Sequence, residues 1–173
     1  MKKLFFIGLI VILAACAAPV GIDFNKATDF SQYTSYNYYP EISSGLNDLD
    51  NKRVTRAIDS VMSLRGITKS DTPDFLINFY AEEAIAQSRN TIGIGVGSGG
   101  RNGGVGISGG IPIGGRTIEQ RFTFDIIEAR KDDLLWQGVI DSRMSEKMTP
   151  AKKEKHYNYI IAKILSKYPP KAK

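Results

Sequence analysis

Cysteine, histidine and tryptophan each occur once in the 173 residues, as Cys16, His156 and Trp136. A single thiol cannot close an internal disulfide, and it cannot supply the several thiolates of a structural zinc site. One histidine leaves little material for a His-based metal centre or a catalytic dyad. A run long enough to cross a bilayer is also missing: the longest apolar stretch, "LFFIGLIVILAA", holds about a dozen residues against the roughly 20 that a spanning helix needs. No G-x-x-x-x-G-K-[ST] sequence occurs, which argues against a nucleotide-binding P-loop. Apart from "AKKEK", Ala151 to Lys155, no block of one charge sign stands out, so the footprint of a nucleic-acid binder is absent.

What is present begins at the N-terminus. Met1-Lys2-Lys3 gives a short positive region, and the apolar run behind it matches the core of a secretory signal. A core helix would show a polar face at helical spacing, and this run shows none. "LAAC", Leu13 to Cys16, then resembles the bacterial lipobox, in which small residues precede a cysteine that becomes the lipidated N-terminus. The resemblance implies cleavage after residue 15, a diacylglyceryl thioether (palmitate-type chains) on Cys16, and the loss of Lys2 and Lys3, which takes the net charge from +5 to +3. Two or more acyl chains anchor durably, at about 0.8 kcal/mol per buried methylene. Ala17 follows the cysteine where an aspartate would mark retention at the inner membrane, so the resemblance implies the outer membrane, periplasm-facing. Residues 16–30 read as lipidated cysteine and tether, and 31–173 as one periplasmic domain.

Along that domain the hydrophobic pattern alternates between strand and helix. "YTSYNYY", Tyr33 to Tyr39, is an aromatic strand stopped by Pro40. Val54, Ala57, Ile58, Val61 and Leu64 share a helical stripe over Asn47 to Arg65, with Asp48 and Asp50 at its start and Gly66 positioned to close it. Phe75 to Ser88 places Phe75, Ile77, Phe79 and Ala81 on one strand face. In "TIEQRFTFDIIEA", Ile118, Phe122, Phe124 and Ile126 face one way, and Glu119, Arg121, Thr123 and Asp125 the other. "LLWQGVIDSRM" returns antiparallel after the turn at "ARKDD". A last helix starts with Thr149 as N-cap and Pro150, carries Tyr157, Ile160, Ile161, Ile164, Leu165 and Tyr168 on one stripe, and stops at Pro169-Pro170. The expected class is α+β: an antiparallel sheet of about four to six strands with two amphipathic helices on one face.

"PDFLINFY", "FTFDIIEARKDDLLWQGV" and "IIAKILSKYPP" resemble the bacterial lipoprotein family defined by domain of unknown function forty-one thirty-six, over about Phe30 to Pro170. That family shares a Pro-Asp before the second strand, a Leu-x-Trp-x-Gly return strand and a helix ending near "YPP". The resemblance implies an exported, lipid-anchored α+β domain and carries over no activity, cofactor or catalytic residue.

Between the strand from Phe75 and the strand from Thr117 lies an insertion, Thr91 to Gly115, crowded with glycine. "GVGISG" matches G-x-G-x-x-G in letters, but Gly110-Ile111-Pro112 follows where a dinucleotide site needs a helix. Ile92, Ile94 and Val96, then Val105 and Ile107, alternate with glycines at strand period. The segment is expected to be a long hairpin, serving either as a mobile insertion or as a contact surface built on those five residues. Tyr36 and Tyr38 form a second candidate contact surface, with burial in an edge strand as the alternative. His156 is expected at the solvent margin of the last helix. Among acids, Asp125 with Asp141 is the pair that could converge across strands, against solvated surface charge as the plainer reading.

No catalytic set, metal site or cofactor is therefore expected. The sequence points to a non-enzymatic binding or scaffold lipoprotein, with the lipid membrane and an envelope protein as partners. An auxiliary subunit of an envelope assembly or transport system, or a hydrolase of envelope polymers, are the alternatives.

Overall fold

Three strands of 12 residues each give the fold its length. The computed structural model describes residues 19–86, 91–93, 110–112 and 115–171; the lipobox with Cys16, and Ile94, Val96, Val105 and Ile107, lie outside them. In chain order the elements are β1 (Val20–Phe24), a 3-10 turn (Phe30–Gln32), β2 (Ser35–Tyr38), α1 (Asp48–Leu64), β3 (Thr68–Lys69), β4 (Phe75–Ala86), β5 (Thr91–Gly93), β6 (Gly110–Pro112), β7 (Thr117–Glu128), β8 (Leu134–Ser145) and α2 (Pro150–Leu165). The main sheet has the order β1-β8-β7-β4-β2-β3, while β5 and β6 pair antiparallel with each other.

The class is α+β, and the sheet is mostly antiparallel. β2 breaks the rule by running parallel to both β4 and β3. A parallel neighbour needs a crossover, and α1 supplies it between β2 and β4. β2 is thus an interior strand rather than the expected edge. The edges are β3, only two residues long, and β1. β1 falls inside the segment expected to be a tether: Val20–Phe24 pairs with β8 from Ile140 to Trp136.

Helix α1 forms where its caps place it. Asn47 Oδ1 accepts the amides of Leu49 and Asp50 at 3.1 and 3.0 Å, and Gly66 closes the helix at φ +73°, a left-handed conformation favourable to glycine. The Arg65 guanidinium then reaches across to α2, where it donates to the carbonyls of Leu165 (2.6 Å) and Tyr168. The Leu165 carbonyl also accepts the Tyr168 amide at 3.0 Å, so Arg65 ties α1 to the turn that follows α2. At the other end of α2, Thr149 occupies the N-cap position without a side-chain cap bond, and Pro150 starts the helix.

Both helices lie on one face of the sheet and bury it. Phe75, Ile77 and Phe79 of β4, Phe122, Phe124 and Ile126 of β7, Trp136 and Ile140 of β8, and Tyr157, Ile160, Ile161 and Ile164 of α2 are all buried. Each such side chain contributes roughly 1.5–3 kcal/mol on burial. Two of the short sequence motifs acquire a physical reason here. In "LLWQG", a β carbon on Gly138 would stand 2.5 Å from the Trp136 ring and 2.8 Å from Ile164, so only glycine lets the indole and α2 close over β8. In "PDF", the Asp74 carboxylate accepts the amides of Thr34 and Ser35 (3.0 and 2.9 Å) and the Ser35 hydroxyl (2.8 Å), pinning the start of β2 beside β4.

Candidate functional site

Toward the Ala86, Thr117 and Ser145 end of the long strands, a polar site forms from strand register. Glu83 stands opposite Gln120, and Gln120 opposite Ser142, so β4, β7 and β8 present one row of polar side chains. Glu83 Oε1 accepts from Gln120 Nε2 at 2.7 Å. His156 of α2 lies over this row, its Nε2 3.4 Å from Ser142 Oγ. On the other face Glu82, Arg121 and Asp141 form a second row, in which Arg121 clamps Asp141 at 2.8 and 3.2 Å. One step further along, Arg143 pairs with Glu119 at 2.8 Å. These groups, with Ala84 and the half-exposed Tyr159, line a cleft of about 890 Å³.

Behind the cleft sits a buried charge network. Asp50, 3% exposed, accepts from Lys153 Nζ at 2.7 Å, Arg53 at 2.6 Å and Asn47 at 2.7 Å, tying the first turn of α1 to α2. Burial pushes its pKa up, but the hydrogen bonds from Lys153, Asn47 and Arg53 outweigh that and hold it below the ordinary carboxylate value. His156 is half-buried rather than at the solvent margin, because its face of α2 turns onto β8. Burial lowers its pKa, against a smaller opposing pull from Asp50, and the ring is neutral at pH 7. Tyr157, fully buried beside it, has its phenol pushed up to about 12 by burial.

This arrangement serves hydrogen bonding. At 3.4 Å the Ser142 to His156 contact is longer than a working base contact, and among the described residues no carboxylate holds the second ring nitrogen. Asp125 and Asp141 do not converge: Asp125 stands opposite Gln137 and Asp141 opposite Arg121, four residues apart along the same two strands, or about 13 Å. Nor is Asp125 a solvated surface charge. It is 8% exposed, bonded to Gln137 Nε2 at 2.9 Å and to Asn78 at 3.4 Å, and desolvation raises its pKa. No group of three or more His, Cys, Asp or Glu among the described residues is placed to hold a metal ion.

Of the expected contact residues, Tyr36 and Tyr38 turn inward. Tyr36 is 2% exposed, and the two phenols donate to Asp59 of α1 at 2.7 and 2.6 Å, so the pair locks α1 to β2 instead of meeting a partner. Their side of an interior strand lies under the helix. Ile92 falls in β5, whose backbone pairs with Ile111 of β6 in the expected antiparallel sense; Ile94, Val96, Val105 and Ile107 lie outside the described residues, as does Cys16. The Glu83, Gln120, Ser142 and His156 cluster was not visible in sequence, because only the register of three strands and the seat of α2 bring it together.

The family described as "Domain of unknown function (DUF4136)" matches residues 20–170. The chain belongs to this family. Its match begins at the first residue of β1 and ends two residues after the buried Tyr168. Comparison with curated proteins finds no match. Among solved structures, a PDZ domain protein from Parabacteroides distasonis ATCC 8503 superposes with a TM-score of 0.56 at 12% identity, covering 90% of this chain and 36% of that one. The chain thus spans about a third of that protein. The PelC dodecamer from Paraburkholderia phytofirmans superposes with a TM-score of 0.50 at 12% identity, covering 87% of this chain and 96% of that one. At such identity both likenesses concern the fold.

Proposed function

We propose that the protein is a lipid-anchored module of the bacterial cell envelope, held through Cys16 at the periplasmic face of the outer membrane, that binds a partner without catalysing a reaction. The observation that carries the binding role is the cleft at the Ala86, Thr117 and Ser145 end of β4, β7 and β8. Its arginines are matched by carboxylates, and Glu83, Ser142 and His156 offer hydrogen bonds, with the buried Gln120 holding Glu83 in position from behind. Such a surface suits a polar, hydrogen-bonding partner. The lipobox resemblance at Leu13 to Cys16 supports the anchor.

Crosslinking of the lipidated protein in its native cells, followed by mass spectrometry, tests this reading, with Gln120→Ala and His156→Ala variants in parallel. A defined envelope partner captured by the wild type and lost in the variants is the expected result. Equal capture by all three would remove the cleft from the reading. Membrane association of a Cys16→Ser variant equal to that of the wild type would remove the anchor.

A second reading, a subunit of a larger envelope assembly, draws on the fold shared with PelC, a protein solved as a dodecamer. Light scattering of the purified protein distinguishes the two, since a multi-copy ring has a mass many times that of one chain.

A further inference from the structure

The first strand limits how far the cleft can travel. β1 runs antiparallel to β8, with Val20 opposite Ile140 and Phe24 opposite Trp136, so β1 begins beside the point where β8 continues into the cleft residues Asp141, Ser142 and Arg143. Ser142 lies about 7 Å beyond Ile140 along β8. Glu83 lies about 10 Å further across the sheet, opposite Gln120, which is itself opposite Ser142. From Cys16 to Val20 the backbone can span at most about 14 Å. The whole row from Ser142 to Glu83 therefore stays within about 30 Å of Cys16. With Cys16 in the bilayer, the cleft meets only what comes to the same leaflet.

Charge narrows the choice among the components of that leaflet. Among the described residues the cleft is lined by four carboxylates, Glu82, Glu83, Glu119 and Asp141, against two guanidiniums, Arg121 and Arg143. Both guanidiniums are occupied, Arg121 by Asp141 and Arg143 by Glu119. Glu82 and Glu83 are exposed and have no ion-pair partner among the described residues. Glu83 is held only by the neutral amide of Gln120. An anionic headgroup would meet these two carboxylates as a like charge, which opposes association. A lysine or arginine would complete them.

We infer that the cleft receives a cationic polypeptide segment of a protein embedded in the same leaflet as the Cys16 anchor, with Glu82 and Glu83 as the carboxylates that meet its lysine or arginine. This rests on the anchor and the cleft proposed above. Proteins that cross the outer membrane as barrels present short turns to the periplasm, and such turns lie within the reach of a cleft leashed at this length. Anchoring both partners in one leaflet also replaces a bimolecular encounter by an effective concentration, so a shallow polar cleft suffices for a lasting contact.

The test puts a benzophenone-bearing residue in place of the half-exposed Tyr159, on the rim of the cleft, and crosslinks the full chain in its native cells. Adducts are identified by mass spectrometry after the outer membrane is separated from the soluble periplasm. Glu82→Lys/Glu83→Lys and Glu82→Gln/Glu83→Gln variants run in parallel, with a urea midpoint equal to that of the wild type as the check on their fold, and so does a chain exported by a signal that adds no lipid. The expected result is an adduct with an integral outer-membrane protein, lowered roughly tenfold or more by the lysine pair and by loss of the anchor, and less by the glutamine pair. A phospholipid adduct, or a soluble periplasmic protein captured equally with and without the anchor, overturns the inference and leaves the anchor standing. The same adduct at equal yield in both charge variants, or no adduct, removes the cleft as the binding surface. Mass spectrometry of the N-terminal peptide reads lipidation separately, and an unmodified Cys16 overturns the anchor and the inference with it.

Discussion

Asp50 and Asp125 are two buried aspartates on opposite sides of the same sheet, and they titrate in opposite directions. Asp50, on the helix side, is 3% exposed and meets Lys153 and Arg53. Asp125, on the uncovered side, is 8% exposed and meets only the amides of Gln137 and Asn78. Desolvation raises both pKa values. Hydrogen bonds from two cations and Asn47 more than reverse it for Asp50, whereas neutral amides do not for Asp125. Burial alone therefore does not tell whether a carboxylate holds this fold together; the charge of its partners does. The helix side is organised by a carboxylate that is ionised, and the open side carries one that would gain from being neutral.

Removing Asp50 should have the largest effect. Asp50→Ala strands Lys153 and Arg53 against the α1–α2 interface, and loss of one partner from a buried pair costs about 3–5 kcal/mol. Urea unfolding at pH 7 measures it. The pH dependence has a defined sign. The folded pKa lies below the ordinary 3.8, so the contribution of Asp50 is present above that value and is lost as pH falls through the folded pKa. Part of the wild-type loss of stability below about pH 4 should then be missing in the variant. A cost under about 1 kcal/mol, the range of a surface pair, would erase the contrast with the open side.

Asp59 comes next. Its carboxylate accepts both phenols of Tyr36 and Tyr38, and burial raises both phenol pKa values, so neither ionises in the working range. Asp59→Ala leaves two hydroxyls without their charged acceptor and should cost about 2–3 kcal/mol. Hydrogen exchange should show faster opening of α1 and β2 while β7 and β8 keep their protection. Uniform loss of protection would mean that α1 and the sheet open as one unit.

The contrast between the two sides was only half legible in the sequence. Strands β4, β7 and β8 and helices α1 and α2 stood out, because their apolar residues recur at the period of the element and their ends carry Asn47, Gly66 and Pro150. β1 did not, since "VGIDF" is a five-residue edge strand whose shape comes from β8 and not from its own preferences. The parallel placement of β2 was hidden for a similar reason. An aromatic strand looks the same whether its neighbour runs with it or against it, and the interior position alone turned Tyr36 and Tyr38 from a surface into a brace. The polar cluster of the cleft depends on register across three strands. The burial of Asp125 follows from a central position in the sheet, where neighbouring side chains exclude water although the alternation marks that face as polar.

On the open side, Asp125→Asn should change stability at pH 7 by at most about 1 kcal/mol, since an amide can keep one of the two bonds. Its sign is set by linkage. A folded pKa above 3.8 means that the folded protein holds its proton longer than the unfolded chain, so wild-type stability falls as pH rises from 3.8 through the folded value. The variant should lack that fall and be the more stable of the two above it. A variant less stable than wild type by 2 kcal/mol or more at pH 7 would show that the charge of Asp125 is supported after all, and the two aspartates would no longer differ in kind.

The smallest effect is expected at Arg121, whose pair with Asp141 has side chains 58% and 70% exposed. Solvent and salt screen such a pair, and ordering two long side chains offsets most of its attraction. Arg121→Ala should leave the urea midpoint unchanged at 0.15 M salt, and adding salt should not separate the variant from the wild type. The clamp would then belong to the cleft as a fixed charge pattern rather than to the fold as a brace. A salt-independent loss of stability in Arg121→Ala would put this row in the same class as Asp50, with its charges shielded from water in the folded chain. The contrast would then run between the middle of the open face, where Asp125 has only amides, and its two flanks, rather than between the two faces of the sheet.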